Sequence, residues 1–200
     1  MKRLSRKNEA YAIRYDSFVV QFPIVIRATT REDLPDLEWC GLYTEHRTII
    51  RNAFRRQQGG SNVMLIAEAN NFPAGQIWID FRPRGRKKTA LFWAFRVAPW
   101  LQDLHIGTRL LAVAERLVAE RGFRYAELTV AETNKEATRL YHRLGYQLVG
   151  KVRDCYSYLR PNGGRIRIVE DQWLLRKAVT ARTLKIRSGQ YSRESIGIAQ

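Results

Sequence analysis

Two short stretches hold the residues whose types and spacing could do chemistry. The first, Val97 to Leu111, reads VAPWLQDLHIGTRLL: the end of an apolar run, a proline, a short polar loop, then an amphipathic helix. A strand feeding a helix through such a loop turns successive backbone N–H groups outward. The first helical turn adds N–H groups without internal partners and the positive end of the peptide dipole. Together these form an anion cradle suited to a diphosphate. Gly107 would allow close backbone approach, Thr108 offers a hydroxyl, and Arg109 either reaches a phosphate or faces solvent. No Gly-Lys-Ser/Thr follows, so this is not a P-loop. It is not a dinucleotide fingerprint either, because the preceding strands form hairpins. An ordinary strand-to-helix turn stays open as the plainer reading.

The second stretch, Asn134 to Tyr146, reads NKEATRLYHRLGY, or N-x-x-A-x-x-x-Y-x-x-x-G-Y. Ala137 and Tyr141, four apart, share one helical face. The small residue admits a close neighbour, and the phenol is presented beside it. The plainer alternative makes Tyr141 core filler and Asn134 a helix cap.

These stretches need elements to position them. Phe18 to Phe22 reads as a short strand stopped by Pro23, and Ile24 to Ala28 as a clearer one. Thr29 to Asp33 supply turn and cap chemistry. Leu34 to about Gln58 is helical, with a break near Gly41, and Gly59-Gly60 end it. Val63–Glu68 and Gln76–Phe81 read as strands joined by a turn over Asn70 to Gly75. Arg82 to Lys88 is a basic hairpin loop, and Ala90–Val97 is apolar nearly throughout, as a central strand would be. Ile106, Leu110, Leu111, Ala114, Leu117 and Val118 recur at helical spacing up to Gly122. Tyr125–Val130 follows by a helical crossover and should therefore run parallel to the 90–97 strand. Thr133 and Glu136 have capping-box spacing ahead of a short helix that Gly145 stops. Two long strands, Tyr146–Leu159 and Ile166–Lys177, flank a Pro161-Asn162-Gly163-Gly164 turn. The order β-α-α-β-β-β-α-β-α-β-β predicts an α/β fold, a mixed sheet with helices on both faces. We expect one domain over 23–178, a basic extension over 1–22 and a basic tail over 179–200.

Composition bounds the partners. The 200-residue chain carries a net charge of +16, which favours anionic partners: nucleic acid, a phosphorylated cofactor, ribosomal surfaces or anionic lipid. Cys40 and Cys155 match no metal spacing and the three histidines, His46, His105 and His142, are scattered, so no metal site is expected. No apolar run reaches membrane-spanning length, and no signal-type apolar core follows the Arg-rich start. That start resembles a transit peptide only weakly and reads better as a basic tail. The expectation is a cytoplasmic protein with no membrane association.

V-x-P followed by Q-x-x-x-x-G, and then N-x-x-A-x-x-x-Y-x-x-x-G-Y, resembles the GNAT superfamily of acyl-CoA-dependent N-acetyltransferases. The element order matches that fold from about Ile24 to Lys177. The resemblance implies acetyl-CoA as acyl donor. Its pantetheine arm would lie on the backbone of Phe95, Arg96 and Val97, where the parallel strands splay. Gln102 and the backbone of Leu104, His105, Ile106, Gly107 and Thr108 would hold the pyrophosphate. Asn134 and Ala137 would line the other wall, and Tyr141 would be the general acid that protonates the leaving thiolate. His105 stands where the family usually has glycine. Histidine can meet a need for positive φ, but not a need for no side chain.

The implied reaction is direct attack by a neutral amine in a ternary complex, with the oxyanion stabilised by a backbone N–H near Val97. The base is open: the 90–97 strand holds no acid, and Glu68, Asp80 and Glu132 are the candidates. The acceptor is open too, among small amines, proteins and aminoacyl-tRNA, and so is a homodimer. Its pocket would form between the 34–58 segment and the 159–166 hairpin. The alternative function is a basic nucleic-acid or ribosome-binding module, with RNA as partner, on an inactive fold of the same family.

Overall fold

Seven strands and three α-helices arise from these patterns, as seen in a computed structural model that describes residues 21–82, 88–159 and 163–179, without the side chains of Tyr158 and Leu159. The strands are β1 (Ile24–Ala28), β2 (Asn62–Ala69), β3 (Phe72–Asp80), β4 (Thr89–Val97), β5 (Tyr125–Ala131), β6 (Gln147–Leu159) and β7 (Arg165–Ala178). The helices are α1 (Arg47–Gln58), α2 (Ile106–Glu120) and α3 (Lys135–Arg143). The sheet order is β1-β2-β3-β4-β5-β7-β6, which places β4 at its centre and β6 at one edge. The β4–β5 pair is parallel and the others are antiparallel. Most of the expected N-terminal extension and its Phe18–Phe22 strand, most of the Arg82–Lys88 loop, the Pro161-Asn162 part of the hairpin turn and the basic tail lie outside the described residues.

Strand alternation sorts side chains onto two faces, each covered by helix. On one face Leu65, Ala67, Ile77, Ile79 and Phe92 pack with Ile106, Leu110, Leu111, Ala114 and Val118 of α2 and Tyr141 of α3. On the other, Met64, Ile66 and Trp78 pack with Leu37 and with Ile50 and Ala53 of α1. A buried ion pair, Lys177 Nζ to Glu115 at 2.7 Å, ties α2 to β7. Losing one partner of such a pair costs about 3–5 kcal/mol, because the other charge stays buried.

Three local expectations are corrected. The 34–58 stretch is not one broken helix. Two single 3₁₀ turns, Asp36–Glu38 and Thr44–His46, precede α1. Trp39, Cys40 and Gly41 take positive φ in succession (46°, 53° and 99°), which no right-handed helix can contain. The β2–β3 turn is Asn70-Asn71 alone, both with positive φ (48° and 61°), the signature of a tight hairpin turn. Gly75 therefore lies inside β3. At α3 the cap is Asn134, whose Oδ1 accepts from the Ala137 N–H at 3.0 Å, in place of a Thr133–Glu136 box.

A bulge in β4 decides which way the second half of that strand faces. Gln76 pairs with Arg96 but Trp78 pairs with Trp93, so β4 holds one residue more than β3 between these points, and Ala94 there has φ 49°. The extra residue switches the facing of the strand. Before it, Ala90 and Phe92 face α2; Trp93 and Ala94 then both pack on the α1 side, and Phe95 and Val97 return to the α2 side. The parallel pairing with β5 also stops here, its last pair being Phe92 and Leu128. Beyond that point the two strands diverge.

Close seating of α2 on this region requires Gly75. A Cβ there would stand 3.0 Å from Leu110 Cδ1, 3.2 Å from the Arg96 carbonyl oxygen and 3.3 Å from Ile106 Cγ2. The backbone oxygen cannot yield, so Gly75→Ala should destabilise the fold by roughly 1–3 kcal/mol, read as a lower urea midpoint at unchanged m-value.

Candidate active site

Beyond Phe92 the edge of β4 that faces β5 has no partner strand among the described residues. Ala98 N–H donates to the Ala74 carbonyl at 2.8 Å, so the ladder turns the polar groups of Arg96 and Ala98 toward β3. Alternation turns those of Phe95 and Val97 the other way, into the gap left by β5. Side chains from both sequence motifs meet at that gap. The Phe95 ring lies 6.3 Å from the Tyr141 ring, centroid to centroid. A Cβ on Gly107 would come within 3.3 Å of Phe95 Cζ and 3.4 Å of Val97 Cγ2. Gly107 thus lets the start of α2 sit against the β4 side chains, a packing role beyond the backbone approach expected of it.

The loop from β4 to α2 is shaped by left-handed residues. Pro99–Leu101 form a single 3₁₀ turn, and Asp103 and His105 follow with φ 61° and 59°. His105 precedes α2 directly and makes no capping side-chain hydrogen bond. Positive φ is therefore a real demand at this position, and the exposed imidazole meets it. The first bond of the helix runs from Arg109 N–H to the His105 carbonyl at 3.1 Å. The N–H groups of Ile106, Gly107 and Thr108 precede it and lie in the turn that has no helical acceptors. Ile106 is buried and anchors this turn, while Leu104 is exposed at the rim. The Gln102 amide turns back onto the Val97 carbonyl at 3.4 Å, bracing the loop against the strand it leaves.

Across the gap, α3 brings Tyr141. Asn134 is exposed at its start and Ala137 packs against the α2-side core. The Tyr141 ring is buried and stands edge-on to Tyr146, 5.9 Å between centroids. Burial pushes its phenol above the ordinary tyrosine range, which keeps the proton on at any working pH.

The three candidate bases are otherwise engaged. Glu68 pairs with Arg27 at 2.5 Å, and Arg27 also binds Asp33. Asp80 pairs with Arg82, and its strand neighbour Leu91 lies before the bulge, at the end of the sheet away from the gap. Glu132 follows β5 and stands at the gap end of the sheet, held by Lys151 at 2.6 Å.

One group escaped the sequence reading, which assigned only backbone to Arg96. Its side chain projects to the α1 side. Cζ lies 3.4 Å over the centroid of Tyr43 and 5.0 Å from that of Trp39, and Nη2 donates to the Leu37 carbonyl at 3.1 Å. Burial pulls its pKa down to about 10, which leaves it charged at neutral pH. Burial, and then the charge of Arg96, hold the nearby His46 below the ordinary histidine value. The aromatic and histidine spacing of Trp39, Tyr43 and His46 was a visible signal. The bulge that aims Arg96 at them was not.

Among the described residues no cluster could hold a metal ion, and no helix is long and apolar enough to cross a membrane. The Acetyltransferase (GNAT) family matches residues 26–146. No curated protein matches the sequence. Solved structures are similar in fold at low identity. The ribosomal-protein-S18-alanine N-acetyltransferase of Escherichia coli is 19% identical with a TM-score of 0.61, over 79% of this chain and 95% of that one. The yncA protein of Salmonella typhimurium, solved with its cofactor acetyl-CoA, is 15% identical with a TM-score of 0.61, over 78% and 94%. NAA60 of Arabidopsis thaliana, in complex with a bisubstrate analogue, is 17% identical with a TM-score of 0.59, over 78% and 98%.

The left-handed geometry at His105 gives a direct test of the loop. His105→Gly should raise stability by up to about 1 kcal/mol by lifting the steric penalty, while His105→Val should lower it by at least as much. Chemical denaturation of the two variants against the parent checks both signs.

Proposed function

The chain belongs to the GNAT acetyltransferase family, and on that premise we propose that it transfers an acetyl group from acetyl-CoA to an amine by direct attack. The observation that carries this reading is the divergence of β4 from β5 beyond the Phe92–Leu128 pair. It leaves the Phe95 and Val97 backbone facing a gap flanked by the start of α2 and by Tyr141. The shape and donor set fit the donor molecule. An amide-bearing pantetheine arm can bond to the open edge as a missing strand would. The free N–H groups of Ile106, Gly107 and Thr108, at the positive end of α2, suit its pyrophosphate. Gln102, Leu104 and His105 form the rim of that cradle, and Asn134 and Ala137 the opposite wall.

In the transfer, the amine lone pair forms the new C–N bond as the C–S bond breaks. In this reading the Val97 N–H, which faces the gap, stabilises the charge developing on the carbonyl oxygen. Tyr141 gives its proton to the departing sulfur. Burial keeps that proton available and also makes the phenol a weaker acid, so its contribution lies in a proton already in position. With Asp80 remote, Glu68 held by Arg27 and Glu132 held by Lys151, the amine proton passes to water or is absent from the start. Exposed Cys40 and Cys155 are not needed, because no covalent acyl-enzyme forms. The acceptor is a small molecule, a protein or an aminoacyl-tRNA. The inactive, RNA-binding reading rests on the net charge of +16, the basic Arg82–Lys88 loop and the basic tail after Arg176.

Two measurements test this. Tyr141→Phe should lower kcat by about 10²-fold or more with acetyl-CoA affinity retained; unchanged turnover would remove the assignment. The pH profile of kcat/KM should rise with deprotonation of the acceptor amine. Tyr141 acts protonated, so its loss would lower activity only as pH climbs through its own pKa. Burial raises that pKa above the usual 10, so no falling limb from Tyr141 is expected below pH 10.

A further inference from the structure

Arg96 sits one residue before Val97, and adjacent strand residues project to opposite faces. Phe95, Val97, Gly107 and Tyr141 all lie on the α2 side of the gap. If the thioester arm occupies that side, the attacking amine must come from the α1 side, where Arg96 projects.

Arg96 differs from the half-buried cations that are held by carboxylates, and it shares its aromatic stacking and buried, unpartnered Nε with Arg56, which lies over Trp93 before the bulge. Lys177 is paired with Glu115, Arg176 with Glu127, and Arg27 with Asp33 and Glu68. No carboxylate pairs with Arg96 among the described residues. Its guanidinium lies on the Tyr43 ring beside Trp39, with Nη2 on the Leu37 carbonyl and Nε buried without a partner. The Tyr43 side chain also bonds to the guanidinium, and the residue as a whole is half-buried. Gln76, directly across the ladder, donates to the Ala94 carbonyl at 3.1 Å and leaves its Oε1 buried and unbonded. A desolvated guanidinium without a counter-charge is unfavourable unless some state supplies an anion. A carboxylate is the geometric match to the guanidinium fork, and stacking on an aromatic ring pre-orients that fork.

We propose that Arg96 is the anion-binding group of the acceptor site, so that the acceptor is an amine that also carries a carboxylate, seated on the α1 side of the gap above Tyr43. This rests on the transferase reading above. The carboxylate has two sources, a free amino acid or an acidic side chain next to a peptide amine, and one experiment separates them.

Binding is measured by calorimetry at saturating CoA, using product mimics so that turnover is not required. Three N-acetylated amino acids of increasing length (N-acetylglycine, N-acetyl-β-alanine and N-acetyl-γ-aminobutyrate) are each compared with their amides. N-acetyl-Ala-Asp amide is compared with N-acetyl-Ala-Asn amide. The parent, R96Q and R96K are used, with CoA affinity and a thermal melt as the check on folding. In the parent, at least one acid should bind about tenfold or more tighter than its neutral twin. A free amino acid source shows in the first set, a peptide source in the second. R96Q should remove most of that margin and R96K should keep part of it. Acids no better than amides in every pair would overturn the proposal, as would a margin that survives R96Q. If R96Q fails to fold, the parent comparison and R96K alone decide. Absence of CoA binding by the parent would instead overturn the transferase reading, and this proposal with it.

Discussion

A single residue in the wrong backbone region, Ala94 at φ 49°, sets the geometry on which the rest depends. An alanine held left-handed costs on the order of 1 kcal/mol, and the surrounding packing holds it there. The Gln76 amide donates to its carbonyl, and Trp93 is wedged edge-on against Trp78 at 4.7 Å. The displaced residue has two effects with one cause. It bends β4 out of register with β5, which opens the gap, and it reverses which side chains face which helix. Phe95 and Val97 become the floor toward α2, and Arg96 goes to the other side.

An opened sheet loses ladder hydrogen bonds, and the compensation lies in how closely α2 approaches. Gly75 and Gly107 lack the side chains that would hold its first turns away from β3 and β4 at those two points. Ile106, Leu110 and Leu111 then bury almost completely against the strands. Further along the helix, Glu115 reaches Lys177 on β7, beyond the gap. The same helix therefore braces both sides of the opening: it touches β3 and β4 on one side and is tied to β7, the antiparallel partner of β5, on the other. Divergence at one end of the β4–β5 pair is tolerated because the other end, Thr89–Phe92 against Tyr125–Leu128, stays paired.

Much of this was legible from periodicity alone. The strands, the helical crossover that makes β5 parallel to β4, and the shared face of Ala137 and Tyr141 all follow from local spacing. What was not legible depends on non-local pairing. The bulge exists only relative to β3, so nothing in TALFWAFRV marks Ala94 as displaced. Gly75 looked like turn material because the tight turn at Asn70-Asn71 leaves four further residues that read equally well as loop or strand. Thr133 and Asn134 are adjacent and both competent to cap, and local spacing does not choose between them; the structure uses Asn134. The Trp39-Cys40-Gly41 break was anticipated at its glycine but not at the two residues before it, which are also left-handed while the Trp39 ring is buried. His105 is the reverse case: the position demands positive φ, and the histidine that departs from the family's glycine adopts it.

The edge position of β6 carries a consequence for the molecule in solution. Among the described residues, one side of this long strand has no neighbour in the sheet, and Leu148, Val149 and Tyr156 on it are exposed. Such an edge is a template for pairing with another copy. Lys151 and Arg153 on the same strand are engaged by Glu132 and Asp171, so local charge does little to guard it. The net charge of +16 opposes such pairing by long-range repulsion. That protection acts over roughly 8 Å at physiological salt and shrinks as salt is added. Colloidal stability is thus delegated to the whole molecule's charge, and concentrated salt or a polyanion that neutralises it would expose the edge to self-association.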